Sequence, residues 1–267
     1  MGNMDLWRVE AQTQLLNHFC RVYEALEEGV RMDTVYLDFA KAFDKVDHEI
    51  LMEKLAENKI KGKLGKWIRE FLRNRKYRVI VNGEKSEEQD VKSGVPQGTV
   101  LAAILFLIMI GDIDKDIISC IVSCFADDTR NSKQIRTEED KKAMQDDLNR
   151  IYQWAERNVM KFNEKKFEQM SWGKIEDIEI EAYKTPSGED IKIKDKVKDL
   201  GVLTSADLKF REHMNEVITS CKIKQGNILR NFETRKKGPM MNLFKSHMKS
   251  KAEYCCIVWS PSHKRHK

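Results

Sequence analysis

The N-terminal half of the chain alternates between helix-like and strand-like patterns of apolar residues. Residues 10–29 carry apolar side chains three and four positions apart and end at Gly29, which predicts an amphipathic helix. The short apolar segment TVYLD (34–38) predicts a strand. Two helices follow in HEILMEKLAENK and KLGKWIREFLRNR, and YRVIVNGEKSEEQDV predicts a strand, an Asn-Gly turn and a weaker return strand.

The second half begins with the longest apolar run, VLAAILFLIMI (100–110). A membrane span needs about 20 such residues, so these eleven predict a buried helix. SCIVSCFADD (119–128) predicts a strand, followed by a turn into another strand. Residues 137–158 predict an amphipathic helix capped by Thr137. Residues 175–204 alternate with period two around the turn TPSGED, and the pattern is helical again from 208 to about 250.

Strands and helices mix here without a regular βαβ rhythm, which predicts an α+β fold with a sheet covered by helices. The chain has 267 residues, of which 41% are hydrophobic and 34% charged. Its first residues contain no apolar stretch, so no signal peptide is predicted. Six cysteines without framework spacing suit a reducing, intracellular compartment, nucleus or cytoplasm. Cys255 and Cys256 lie near His263 and His266, but their spacing matches no usual zinc site.

Two predicted strands end in carboxylates. Asp38 ends TVYLD, and Asp127 and Asp128 follow the apolar run CIVSCFA. A polar β-turn is one interpretation of the aspartate pair. The other is a metal site, because neighbouring carboxylates repel one another unless a cation lies between them and hard oxygen ligands suit Mg²⁺. Two such ions serve in-line phosphoryl displacement, so both a polymerase and a nuclease are open at this point.

The ordered motifs narrow this choice. VYLDFAKAFDKVDHEIL (35–51), SGVPQGTVLAAILFLIMIGDI (93–113) and FADDT (125–129) resemble the three central palm motifs of reverse transcriptases of non-LTR, LINE-type retrotransposons of the jockey and CR1 sort. Three later segments agree with that family in order: WAERNVMKFNEKKFEQMSWG, KDLGVLTSADLKF and EYCCIVWSP. The resemblance implies an RNA-directed DNA polymerase that transfers a nucleotide to a primer 3′-hydroxyl.

The resemblance also assigns roles to residues. Asp38, Asp127 and Asp128 are expected to hold two Mg²⁺ ions, with Mn²⁺ as an alternative, and Phe39 contributes a carbonyl. Lys166, next to Lys165, resembles the lysine near the pyrophosphate leaving group. The predicted substrate-binding residues are Phe39, Phe43, Gln97 and Gly98. Phe43 resembles the steric gate under the sugar, although a core aromatic would show the same pattern.

The expected partners are an RNA template, a DNA primer and deoxynucleoside triphosphates, with no membrane. The net charge of +5, from 48 Lys and Arg against 43 Asp and Glu, permits such partners. The basic cluster RNRKYR supplies the predicted phosphate contacts Arg73, Arg75, Lys76 and Arg78, although a solvated face would carry the same charges.

The chain departs from the family pattern in three ways. The upstream fingers motifs are missing, Ala102 and Ala103 stand where the family usually has Gly-Pro, and the thumb is cut short. We therefore expect a remnant of the fingers and palm entry in 1–33, the palm in 34–205 and a partial helical thumb in 206–267. An inactive, nucleic-acid-binding remnant of a mobile element is the alternative function.

Overall fold

The computed structural model describes residues 3–174 and 179–260, with backbone only for 3–10. The predicted strand that begins at 175 therefore starts outside the described residues. The basic tail 263–267, with His263 and His266, lies outside them too.

The described residues form helices of very different length. They are α1 (Asn3–Glu27), α2 (Ala42–Lys45), α3 (His48–Glu57), α4 (Gly62–Leu72), α5 (Val100–Ile110), α6 (Glu138–Arg157), α7 (Arg211–Asn231), α8 (Lys237–Leu243), α9 (Ser250–Ala252) and α10 (Cys256–Trp259), with a 3₁₀ turn at Glu164–Lys166 and a π-helical segment at Phe244–Lys249.

The strands are short, apart from two of eight residues. They are β1 (Arg31–Asp38), β2 (Lys76–Tyr77), β3 (Ile80–Val81), β4 (Glu84–Lys85), β5 (Gln89–Asp90), β6 (Ile121–Phe125), β7 (Asp128–Ile135), β8 (Glu168–Trp172), β9 (Lys192–Ile193), β10 (Lys196–Asp199) and β11 (Val202–Ser205).

The chain divides into two compact units, Met1–Asp33 with Met170–Ile180 and Ile193–Lys267, and Thr34–Gln169 with Glu181–Lys192. The functional division into 1–33, 34–205 and 206–267 stays a prediction, because compactness alone does not test it.

One sheet has the strand order β6-β7-β1-β8-β9, and its strands β6 and β7 and most of β1 belong to the second unit. Strands β6 and β7 form an antiparallel hairpin, and Thr34 Oγ1 lies 3.0 Å from Ser132 Oγ across β1 and β7. The predicted turn after Asp128 was placed too late, since β7 already begins at that residue. The mixture of sheet and helices confirms the predicted α+β class.

Helix α6 shows how the sequence sets one layer of this unit. Thr137 and Asp140 form a reciprocal capping box at its N-terminus. Most of its apolar stripe is buried, with Leu148 and Ile151 at 0% exposure. The prediction of a buried α5 is only half right. Leu105 and Phe106 are fully buried, but Val100, Ile104 and Leu107 are 60%, 48% and 44% exposed.

The first unit packs α1 through Leu15, Phe19 and Val22. Phe19 meets Phe210 edge to face at 5.5 Å. Helix α1 ends at Glu27, and Gly29, two residues later, has a φ of 70° that allows the chain to reverse there. The predicted strand from 175 to 183 is not formed in its described part, because residues 179–182 carry no strand. The predicted helix from 208 to 250 is interrupted at residues 232–236.

Among the described residues, no helix is both long and apolar enough to cross a membrane.

Candidate active site

The aspartate pair lies at a tight hairpin. Phe125 pairs with Asp128, so only Ala126 and Asp127 connect β6 to β7. Ala126 has a φ of 53°, a left-handed conformation that such a two-residue connection requires. Asp127 is partly exposed at the tip and Asp128 is exposed at the start of β7. The hairpin thus places both aspartates, neither of them buried, where β6 ends and β7 begins.

Asp38 ends β1, the strand next to β7 in the sheet. Its carbonyl accepts a hydrogen bond from the amide of Asn163 at 2.8 Å, and the amide of Ala40 donates to Lys161 at 2.7 Å. Phe39, between Asp38 and Ala40 in the chain, is buried. Its ring stacks on that of Phe162, with the ring centroids 4.4 Å apart. The backbone around Asp38 is therefore fixed against residues 161–163.

Lys166 contacts the carboxylate of Asp38. Its Nζ lies 3.1 Å from Oδ2 of Asp38, while the lysine is 63% and the aspartate 23% exposed. Lys165, the neighbour that shares its sequence pattern, lines a cavity of about 690 Å³ together with Phe162, Glu164 and Ser187. The geometry therefore favours Lys166 over Lys165 as the lysine of the site.

The described residues hold no group of three or more His, Cys, Asp or Glu side chains arranged to bind a metal ion. The carboxylate of Asp38 instead faces the ammonium of Lys166. The hard oxygen donors at the ends of β1 and β7 fit Mg²⁺ by their chemistry.

The segment GVPQG is fastened to the turn after β1. The amides of Gly94 and Val95 donate to the carbonyls of Val46 and Phe43, both at 2.8 Å. Gly94 has a φ of 85°, and a Cβ there would lie 2.7 Å from the Cα of Asp44. A side chain at this position is excluded both by conformation and by space.

Two of the predicted nucleotide-binding residues lie at the end of this segment. Gln97 and Gly98 are exposed, and Thr99 caps α5 by accepting from the amide of Ala102 at 3.1 Å. Phe43 is partly exposed and stacks on the buried Phe106 of α5 at 4.5 Å. Phe43 therefore does pack against the core, and its remaining exposure leaves room for the gate function.

The four predicted phosphate contacts of the basic cluster RNRKYR already have partners in the structure. Arg73 lies 3.4 Å from a Glu49 carboxylate oxygen, and Lys76 and Arg78 both pair with Glu88. Arg75 is only partly exposed, and burial lowers the pKa of its guanidinium. It donates to the carbonyls of Leu72 at 2.9 Å and Gly94 at 2.5 Å.

Sequence reasoning missed Asp147, a buried carboxylate on α6. It accepts hydrogen bonds from the amides of Ile118, Ser119 and Cys120, at 3.1, 2.8 and 2.8 Å, just before β6 begins. Burial raises the pKa of this carboxyl, but the hydrogen bonds from Ser119, Ile118 and Cys120 outweigh it and hold the pKa at about 2. The signal was available, because Asp147 falls on the apolar stripe of α6, where a charge needs partners.

Sequence reasoning also missed Lys54, a second charged residue on the apolar face of a helix. Its side chain is 9% exposed on the apolar face of α3, where it donates to the Met109 carbonyl at 2.7 Å and pairs with Asp112. The same Asp112 oxygen accepts from Trp154 Nε1 at 2.9 Å. Burial lowers the pKa of Lys54 against the opposing effect of Asp112. This cluster ties α3, α5 and α6 together and has no part in the predicted chemistry.

Comparison with known proteins decides the family. Residues 24–204 match the family described as reverse transcriptase (RNA-dependent DNA polymerase). The chain belongs to this family. The probable RNA-directed DNA polymerase from transposon X-element of Drosophila melanogaster is 25% identical over 94% of the chain. The RNA-directed DNA polymerase from mobile element jockey of the same species is 26% identical over 91%. These relatives confirm the resemblance to LINE-type retrotransposon reverse transcriptases.

The chain spans 28% and 27% of the length of these two relatives. Solved structures agree on the fold of this reverse transcriptase family member. Apo telomerase from Candida tropicalis superposes with a TM-score of 0.52 at 14% identity, covering 74% of this chain and 38% of its own. Telomerase from Candida albicans in complex with a fragment of telomeric RNA superposes with a TM-score of 0.51 at 13% identity. The match covers 95% of this chain and 45% of the telomerase chain. The predicted palm-type fold is thereby confirmed.

Proposed function

We propose that this domain extends the 3′-hydroxyl of a DNA primer along an RNA template, with deoxynucleoside triphosphates as substrates. The observation that carries the proposal is the position of Asp38 at the end of β1, in the strand next to the one that begins at Asp128, with Lys166 at 3.1 Å. Membership of the reverse transcriptase family and the retrotransposon relatives support it.

The carboxylates are proposed to hold two Mg²⁺ ions, with Mn²⁺ as an alternative, together with the carbonyl of Phe39. Asp38 lies four residues beyond Thr34 and Asp128 four residues before Ser132, the two residues whose hydroxyls meet at 3.0 Å. An antiparallel alignment of β1 with β7 would bring both carboxylates to the same end of the sheet. When bound, the ions supply charge stabilisation to the attacking and leaving oxygens of phosphoryl transfer.

The side chains around these carboxylates receive the remaining roles. Lys166 would leave Asp38 and hold a proton near the departing pyrophosphate, as a general acid. Phe43 would pack under the sugar and exclude a 2′-hydroxyl, while its stacking on Phe106 fixes the ring. Gln97 and Gly98, exposed before α5, would contact the incoming nucleotide.

Phosphate contacts are proposed for Arg73, Lys76 and Arg78. Their exposed ion pairs with Glu49 and Glu88 are each worth only about 0–1 kcal/mol, so a phosphate can replace the glutamate. A second basic region is the segment 208–260, where eleven Lys and Arg stand against four Asp and Glu. This charge supports the proposal that the helical region 206–267 contacts nucleic acid as a thumb, next in the chain to a palm proposed in 34–205 and entered from 1–33.

Primer extension on poly(rA)/oligo(dT) with Mg²⁺ tests the activity. We expect extension by the wild type and its loss in the Asp127→Asn, Asp128→Asn double variant. Asp146→Asn, which neutralises an exposed carboxylate on α6, is the matched control and should extend normally. Salt-dependent binding of the duplex without extension by the wild type would overturn polymerisation and leave an inactive nucleic-acid-binding remnant.

A further inference from the structure

The carbonyl of Gly94 receives two side-chain donors from different parts of the second unit. Nε2 of His48, the first residue of α3, lies 2.8 Å from this oxygen. Nη2 of Arg75, just beyond α4, lies 2.5 Å from it. A carbonyl oxygen has two lone pairs, so both donors can be accommodated.

The protonation of the imidazole follows from its partner. A carbonyl oxygen has no hydrogen to give, so Nε2 of His48 must carry one. The 3.3 Å approach of Arg75 Nη2 to His48 Nε2 then reflects two donors that share one acceptor. His48 is itself placed by the cap of α3, since Asp47 accepts from the amides of Glu49 at 2.9 Å and Ile50 at 3.0 Å.

These contacts complete the attachment of the peptide around Gly94. Its amide and that of Val95 are bonded to Val46 and Phe43, and Ser93 Oγ donates to the carbonyl of Asp44 at 2.8 Å. On the far side of the loop, Thr99 Oγ1 donates to the Pro96 carbonyl at 3.0 Å and caps α5. Gln97 and Gly98 therefore form a short exposed arch whose two ends are both fixed.

We propose that His48 and Arg75 are positioning residues, which hold the Gly94 carbonyl so that the Gln97–Gly98 arch is preorganised for the incoming nucleotide. The role in nucleotide binding rests on the proposed function, whereas the clamp itself does not. Preorganisation lowers the ordering cost of binding, so loss of the clamp should weaken nucleotide binding more than duplex binding. Arg75 then contributes to nucleotide binding through the loop and makes no phosphate contact with the duplex.

Hydrogen–deuterium exchange on the full chain without substrate tests the clamp directly. We expect faster exchange across residues 93–99 in His48→Leu and Arg75→Gln, with exchange in α6 unchanged as the sign of an intact fold. His48→Gln, which keeps an N–H donor at the position of Nε2, should restore protection. Lys63→Gln removes an exposed positive charge from α4 and should exchange like the wild type. Wild-type exchange across 93–99 in both His48→Leu and Arg75→Gln would overturn the clamp.

Kinetics then test the positioning role. In Arg75→Gln and His48→Leu we expect KM for the nucleotide to rise roughly tenfold, a change that corresponds to about 1.4 kcal/mol. The dissociation constant of the duplex and its salt dependence should be unchanged. A weaker duplex complex with a smaller salt slope and an unchanged KM in Arg75→Gln would overturn the proposal and restore Arg75 as a phosphate contact. An inactive wild type that shows the expected exchange pattern would contradict only the proposed function.

Discussion

The ammonium of Lys166 lies 3.1 Å from Oδ2 of Asp38, so the carboxylate proposed to bind a metal ion already faces a cation. The contact joins the 3₁₀ turn Glu164–Lys166 to the end of β1, and the hydrogen bond from Asn163 to the Asp38 carbonyl holds the same turn in place. A divalent ion bound as proposed would therefore compete with the lysine for one carboxylate.

Lys166→Ala should separate the two roles of this lysine. Metal affinity should rise by roughly 1.4- to fivefold, because the competing ion pair is partly exposed and worth only about 0.2–1 kcal/mol. Polymerisation should fall roughly 100-fold, because the proposed proton donor is lost. Titration with Mn²⁺ by electron paramagnetic resonance measures the first change and primer extension the second. Lys165→Ala is the matched control, and an equal effect of that variant would contradict the assignment of Lys166.

The hydrogen bonds at Asp147 predict a dependence of stability on pH. The folded-state pKa of about 2 lies below the ordinary value of 3.8, so the carboxylate stabilises the fold above pH 4 and this contribution is lost as the pH falls toward 2. Asp147→Asn should lower the free energy of unfolding by about 2 kcal/mol at pH 7. Urea unfolding of both proteins between pH 7 and pH 2.5 measures the difference, which should shrink with acidity.

Asp146→Asn serves as the control for Asp147, since it neutralises the adjacent but exposed carboxylate. Its unfolding free energy should match that of the wild type throughout the pH range. A constant difference between the wild type and Asp147→Asn at every pH would show that ionisation of Asp147 does not contribute.

The two glycines of GVPQG should respond differently to alanine. Both have positive φ angles, 85° at Gly94 and 87° at Gly98, but a Cβ at Gly98 meets nothing within 4 Å. Gly98→Ala should therefore cost only the backbone strain, about 1–2 kcal/mol. Gly94→Ala must also move the backbone of Asp44 and should cost roughly 3 kcal/mol or more. Thermal unfolding of the two variants measures the contrast, and equal melting temperatures would refute it.

Local patterns predicted the elements whose chemistry is local. The stripe and Thr137 cap of α6 and the Asn82–Gly83 turn were found because adjacent residues alone determine them. Strand β7 was harder, since Thr129, Arg130, Asn131 and Ser132 are buried in the sheet although they are polar. Only the neighbouring strands make that burial favourable, through contacts such as Thr34 with Ser132, and no local pattern reports them.

The candidate site divides in the same way. The order of motifs was enough to single out Asp38, Asp127 and Asp128, and the structure adds the hairpin and strand order that arrange them. The contacts of Arg75 with Gly94 and of Asp147 with residues 118–120 join segments 19 or more residues apart. Such contacts depend on how helices pack, so a cluster of positive charge alone could not distinguish a phosphate contact from a loop clamp.

Phe43 offers a test in which packing and selectivity can be measured separately. Phe43→Val should admit ribonucleotides, with a loss of discrimination of at least about tenfold, because the ring proposed to exclude the 2′-hydroxyl is gone. It should also destabilise the fold, since the stacking on Phe106 at 4.5 Å is lost.

Phe106→Leu removes the same stacking from the other side and leaves the ring of Phe43 in place. Extension with ribo- and deoxynucleotides and thermal unfolding should therefore show similar destabilisation in both variants, but relaxed selectivity only in Phe43→Val. Relaxed selectivity in Phe106→Leu as well would mean that the packing of the ring, beyond its presence, sets the gate.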